Sequence, residues 1–130
     1  MNNPASLIPS KLSTLFLYSI VTATALPALA NDDPALQLKG NPRQGSLMFN
    51  NVCKGCHGVS IAPDLRGVVG REIASQPDYK NYTDAIKALR GNVWTKEKLS
   101  EWLTGPSEIA PGTAMVQTIP DSQARADTGI

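Results

Sequence analysis

Both cysteines and the only histidine of this chain fall within five consecutive positions, Cys53-Lys54-Gly55-Cys56-His57. A C-x-x-C-H run is the attachment signature of a c-type haem. The two thiols add across the two vinyl groups of the porphyrin, and the adjacent imidazole falls beneath the iron as an axial ligand. A structural zinc site needs about four Cys or His ligands, and the chain offers only these three. A thioredoxin-like dithiol would need alternating strands and helices around it, and no continuous Val/Ile-rich strand is visible. A plain disulfide between Cys53 and Cys56 would leave His57 without a role.

The elements that must position this run begin after an export signal. Residues 1–30 read as a secretory signal peptide, with Lys11, an apolar stretch from Leu12 to Leu26, and the small-residue site Ala28-Leu29-Ala30 before Asn31. That stretch is short and broken by Ser and Thr, so a cleaved signal is favoured over an uncleaved membrane anchor, which stays the alternative. Periplasm is the compartment that fits, because c-type haem is attached on the far side of the bacterial inner membrane. The remainder is enough for one small domain. Without Lys11 its basic and acidic residues balance, and no basic stripe suggests nucleic acid. Few aromatics and many prolines make a poor core unaided, and a covalent haem supplies apolar mass.

The mature chain reads as all-α, short helices joined by turns. Residues 31–41 form a polar arm, with the domain proper at 42–130. Asn41 caps a first helix with Pro42 at its first position. From Arg43 to about Lys54 the apolar Leu47, Met48, Phe49 and Val52 recur at helical spacing. Gly45 and Phe49 share one face, and a glycine there marks either another element crossing closely or, nearly as readily, an indifferent exposed position. Residues 58–70 are loop. Thr83 starts a short helix through Leu89 that Gly91 closes, and Thr95 caps another with Leu99, Trp102 and Leu103 on its apolar face. Gly105-Pro106 stops it, and residues 107–120 are irregular loop.

These motifs, in this order, resemble the class I monohaem cytochrome c family. They comprise the helix with Gly45 and Phe49, C-x-x-C-H, Pro63-x-Leu65-x-Gly67, Gly70-Arg71, Tyr82-Thr83-Asp84-Ala85, Trp94, Trp102-Leu103, and Pro111-Gly112-Thr113-x-Met115. The resemblance implies a small cytochrome c fold wrapped around one haem c, held through Cys53 and Cys56. It places His57 on one face of the iron and Met115 on the other, a pair that raises the reduction potential. Met1 lies in the signal and Met48 is too near the cysteines to reach the opposite face. Pro63 resembles the residue whose carbonyl accepts the His57 ring N–H. Arg71, Tyr82 and Trp94 resemble the donors that hold the inner haem propionate, and Thr113 the one that bonds the outer propionate. Trp102 stands where the family usually has Tyr, and the sequence leaves open whether its indole reaches the Met115 sulfur.

The family continues past Asp127 into an apolar helix that crosses the first helix near Gly45 and Phe49. Here nine residues run from Ser122 to Ile130 with a Gly near the end, and short isolated helices are marginal. The sequence therefore predicts that this helix is incomplete, that the crossing is largely missing, and that the fold is destabilised unless a partner chain covers the first helix. With both axial positions filled by protein, the expected activity is one-electron transfer between periplasmic donor and acceptor proteins rather than enzymatic turnover. A membrane-bound oxidase or dehydrogenase could be such a partner. The alternatives are a haem subunit of a larger dehydrogenase or oxidase complex, and a gas- or peroxide-reactive protein with a labile Met115. Lys54, Lys80, Lys87, Lys96 and Lys98 are balanced by acids and position 114 is Ala, so a lysine ring steering acidic partners is not expected.

Overall fold

The computed structural model describes residues 33–129, so the signal peptide, Asn31, Asp32 and Ile130 lie outside the described residues. Helical backbone accounts for nearly all its regular structure: α1 Pro34–Gln37, α2 Pro42–Met48, a π-helical turn Phe49–Cys53, α3 Lys54–His57, α4 Asp84–Lys87, α5 Lys96–Thr104, α6 Pro106–Ile109 and α7 Ser122–Asp127. Among the described residues the only extended pairing is an isolated antiparallel bridge between Glu72 and Val93. None of their helices is long and apolar enough to cross a membrane.

Local chemistry sets most boundaries. The Asn41 side chain accepts the Arg43 N–H, and Pro42 follows at the first helical position. Thr83 caps α4 through the Ile86 N–H, and Thr95 caps α5 through the Lys98 N–H. The first helix does not stop at Lys54. Its backbone stays helical through Cys53 and Lys54 to His57, with Lys54 N–H bonded five residues back to the Phe49 carbonyl. This π turn inserts one extra residue into the helical winding and ends on the first cysteine.

Two elements depart from the expected loops. Within the expected arm, Asp33 accepts the Ala35 N–H and starts a one-turn helix whose Ala35 is completely buried. Pro106 ends α5 as expected, but its fixed φ also opens α6. Pro106 is itself fully buried.

The last helix is as short as the sequence suggests, yet its crossing is made, which corrects the expectation that it would be largely missing. α7 packs on both α1 and α2. A Cβ built on Gly45 would collide with the Asp127 carbonyl, and one on Gly40 with the Ala126 carbonyl, so both glycines mark close approach of backbones. Asp127 accepts the Asn41 N–H at 2.8 Å, and Asp121 caps α7 through the Ala124 N–H at 2.7 Å. Tertiary contact supplies what a six-residue helix lacks alone. Beyond the crossing, Leu47, Phe49 and Val52 remain exposed. The buried core sits elsewhere, in Ile73, Ala74, Ile86, Trp102 and Ala110, with Tyr82, Ala85, Leu89, Trp94, Leu103 and Met115 packed against it.

Candidate haem site

Helical winding puts Cys53, Cys56 and His57 at positions i, i+3 and i+4 around α3, so all three share one helix face. Both thiols are free. Cys56 is exposed, and burial pushes the half-buried Cys53 thiol up from its ordinary value. His57 Nδ1 lies 2.7 Å from the Pro63 carbonyl oxygen. A carbonyl only accepts, so Nδ1 carries a proton and Nε2 is the ring nitrogen left to face a metal. Pro63 is thus where the sequence placed it, at the other end of the His57 bond.

Met115 lies on the opposite side of the chain order, on the segment after α6. Trp102 Nε1 donates to Met115 Sδ at 3.0 Å, so the indole reaches the sulfur. Thr113 N–H closes the Pro111-Gly112 turn onto the Ala110 carbonyl, and Thr113 Oγ1 accepts the Met115 N–H at 3.3 Å. Trp102 is buried in the core and meets Trp94 edge-on, with ring centroids 5.5 Å apart. One helical residue, Trp102, and the Ala110–Thr113 turn therefore fix the thioether.

Arg71 and Trp94 are brought together by backbone. Trp94 N–H donates to the Arg71 carbonyl at 2.9 Å and Gly70 N–H to the Trp94 carbonyl at 2.7 Å. The Arg71 guanidinium donates to the Asp64 carbonyl at 2.7 Å, to the Arg66 carbonyl at 3.1 Å and to Gln76 Oε1 at 2.9 Å. Tyr82 OH accepts the Gln76 N–H at 3.2 Å, which leaves its own proton free to donate. Gln76 thus joins Arg71 to Tyr82. The sequence carried no sign of it, since Gln76 stands outside every spaced motif. Beneath Arg71, Arg66 makes two side-chain bonds to Asp64 and holds that carboxyl down to about 2.

The donor set suits an iron porphyrin. Two thiols and an imidazole share one face, the imidazole has Nδ1 engaged by Pro63 and Nε2 left over, and a thioether is held in place by an N–H. Soft sulfur and imidazole together are ligands of redox-active iron.

The family model for cytochrome c matches residues 43–128. The chain is 40% identical over 95 residues to cytochrome c2 of Rhodopila globiformis, covering 68% of this chain and 87% of that protein. It is 37% identical over 106 residues to the cytochrome c-type cyt cy of Rhodobacter capsulatus, covering 78% of this chain. The alignment spans only about half the length of that relative, 52%. Among solved structures, cytochrome cH from Methylobacterium extorquens superposes with a TM-score of 0.62 at 33% identity, over 69% of this chain and 94% of that one. The chain belongs to the cytochrome c family, and its Cys53 and Cys56 attach one covalent haem c.

Proposed function

We propose that His57 and Met115 are the two axial ligands of the haem iron and that the protein is a periplasmic one-electron carrier. The observation that carries this reading is the Trp102 N–H bonded to Met115 Sδ at 3.0 Å, because it orients a thioether that would otherwise be core filler. When bound, the haem supplies a ferric/ferrous couple, and with both axial positions taken no coordination site is open to a substrate.

The residues of the chain then divide the work. His57 donates an Nδ1–H hydrogen bond to the Pro63 carbonyl, which fixes the orientation of the ring. Trp102 and Thr113 hold Met115 from the side chain and the backbone. Arg71, Tyr82 and Trp94 supply the donors that a buried propionate needs, and Thr113 bonds the outer one. Arg71 reaches that task already tied to the 64–66 turn and to Gln76, so its guanidinium is held in place in advance.

The partner surface follows from charge. Residues 58–63 carry no charge, and residues 105–120, which bear Met115, carry only Glu108. Val59, Ile61 and Val116 are exposed there, Val116 at 84%. Redox partners of such a rim meet it through a small, weak and mainly apolar contact. The holoprotein should show a reversible one-electron wave at an electrode. Its exchange rate with a small periplasmic-type redox protein should change less than about threefold over a tenfold range of ionic strength. A steep loss of rate with salt would contradict the apolar rim, and rapid turnover of peroxide would contradict the carrier reading.

A second reading, a haem subunit of a larger complex, draws on the exposed Leu47, Phe49 and Val52 beyond the α7 crossing. A holoprotein that remains monomeric at every concentration tested would argue against a partner chain on that face.

A further inference from the structure

Arg125 is 5% exposed, and nothing in the proposed redox chemistry uses it. Its Nε donates to Ser100 Oγ at 2.9 Å. Nη1 donates to the carbonyls of Ile119 at 3.0 Å and Pro120 at 2.8 Å. Nη2 donates to Asp33 Oδ1 at 3.0 Å, across 92 positions of sequence. Asp33 is only 18% exposed, so the charge of a nearly buried guanidinium is balanced where it sits. One side chain thus joins α5, the residue that caps α1, and the end of the segment that carries Met115.

That last contact has a consequence for the ligand. On its N-terminal side Met115 is secured by the Ala110–Thr113 turn and by Thr113 Oγ1. On its C-terminal side Val116, Gln117 and Thr118 are exposed. The next fixed points are Ile119 N–H on the Leu103 carbonyl at 2.6 Å and the two carbonyls that Arg125 grips. We propose that Arg125, balanced by Asp33, is a positioning residue that clamps the C-terminal foot of the Met115 segment and so sets how firmly the thioether is held. The inference rests on the reading of Met115 as an axial ligand.

The test uses ferric holoprotein and added imidazole, which competes with Met115 for the iron, together with amide hydrogen exchange at Val116 to Ile119. Arg125→Lys keeps the charge but loses the planar fork that serves four acceptors. It should tighten imidazole binding and speed exchange at those amides by roughly tenfold, the yield of one lost charge-assisted hydrogen bond. Asp33→Asn should move both readouts the same way by less. Thr95→Ala, which removes the α5 cap away from the clamp, should lower the melting temperature and leave both readouts unchanged. The proposal is overturned if Arg125→Lys moves neither readout, or if Thr95→Ala moves them as far for an equal loss of melting temperature. If Arg125→Lys yields no holoprotein, Asp33→Asn and Ser100→Ala decide by the same measurements. If imidazole displaces no sulfur ligand from wild type, the axial reading has failed. The clamp is then judged on amide exchange alone, which needs no Met–iron bond.

Discussion

Replacing Trp102 with Phe deletes the one N–H that Met115 Sδ accepts and keeps an aromatic ring in its place. A thioether is a weak acceptor, so the bond belongs in the lower part of the usual range, about 0.5–1 kcal/mol. The donor draws density from the sulfur lone pair, which ferric iron needs more than ferrous iron does. Losing the donor therefore stabilises the ferric state. For a one-electron couple, 59 mV accompanies each tenfold change, or about 1.4 kcal/mol. The predicted shift is a fall of roughly 20–40 mV. Trp102 is 7% exposed and packs on Trp94, so the smaller ring also leaves a partial void. That costs about 1–3 kcal/mol, within the roughly 5–15 kcal/mol of a small domain, and the variant should fold. Spectroelectrochemical titrations of wild type and Trp102→Phe at one pH would measure the shift. A potential equal to or above that of wild type would refute the argument.

Gly45→Ala tests the crossing. Alanine gains about 1 kcal/mol of helix propensity, but its Cβ meets the Asp127 backbone, which cannot swing aside as a side chain would. Thermal denaturation should show a net loss of about 1–2 kcal/mol, and an unchanged or raised melting temperature would contradict the close approach. Asp33 gives a pH signature. Burial pushes its carboxyl up, but hydrogen bonds from Ser100, the Ala35 amide and Arg125 outweigh it and hold it below 3.8. Its contribution is therefore complete above the unfolded value and lost as pH falls through the lower folded value. Denaturant titrations of wild type should lose stability below about pH 4, and Asp33→Asn should flatten that acid limb. An identical acid limb in the variant would show that Asp33 is not the group responsible.

The parts of this molecule that local chemistry determines were legible in the sequence. Asn41, Thr83 and Thr95 cap helices because a short polar side chain meets a free N–H one turn on. Gly45 pointed to a crossing as one of two readings, because a glycine inside a helix is costly without one. The C-x-x-C-H run announced two thiols for the porphyrin vinyl groups and one imidazole for the iron. What escaped notice depends on residues distant in sequence. The burial of Ala35 and the Asp33–Arg125 pair join the two ends of the domain, and no periodicity announces such a contact. Arg125 reads as an ordinary polar residue of a short helix until the Ile119 and Pro120 carbonyls are seen to surround it. The π turn at Phe49–Cys53 has no sequence signature of its own either, since weak helix formers such as Asn50, Asn51 and Val52 do not mark an inserted residue. Isolated-helix stability understates the α7 crossing, because Asp127, Ala126 and Arg125 hold the segment in tertiary contact.

The most direct test is the visible and near-infrared-edge spectrum of the holoprotein, matured with its haem covalently attached, beside that of Met115→Ala. Wild type should hold low-spin iron in both oxidation states and show the weak ferric band that marks sulfur ligation, and Met115→Ala should lose that band and turn to high spin or to an added ligand. A wild-type protein already high-spin, or a ferric sulfur band that survives in Met115→Ala, would contradict axial ligation by Met115.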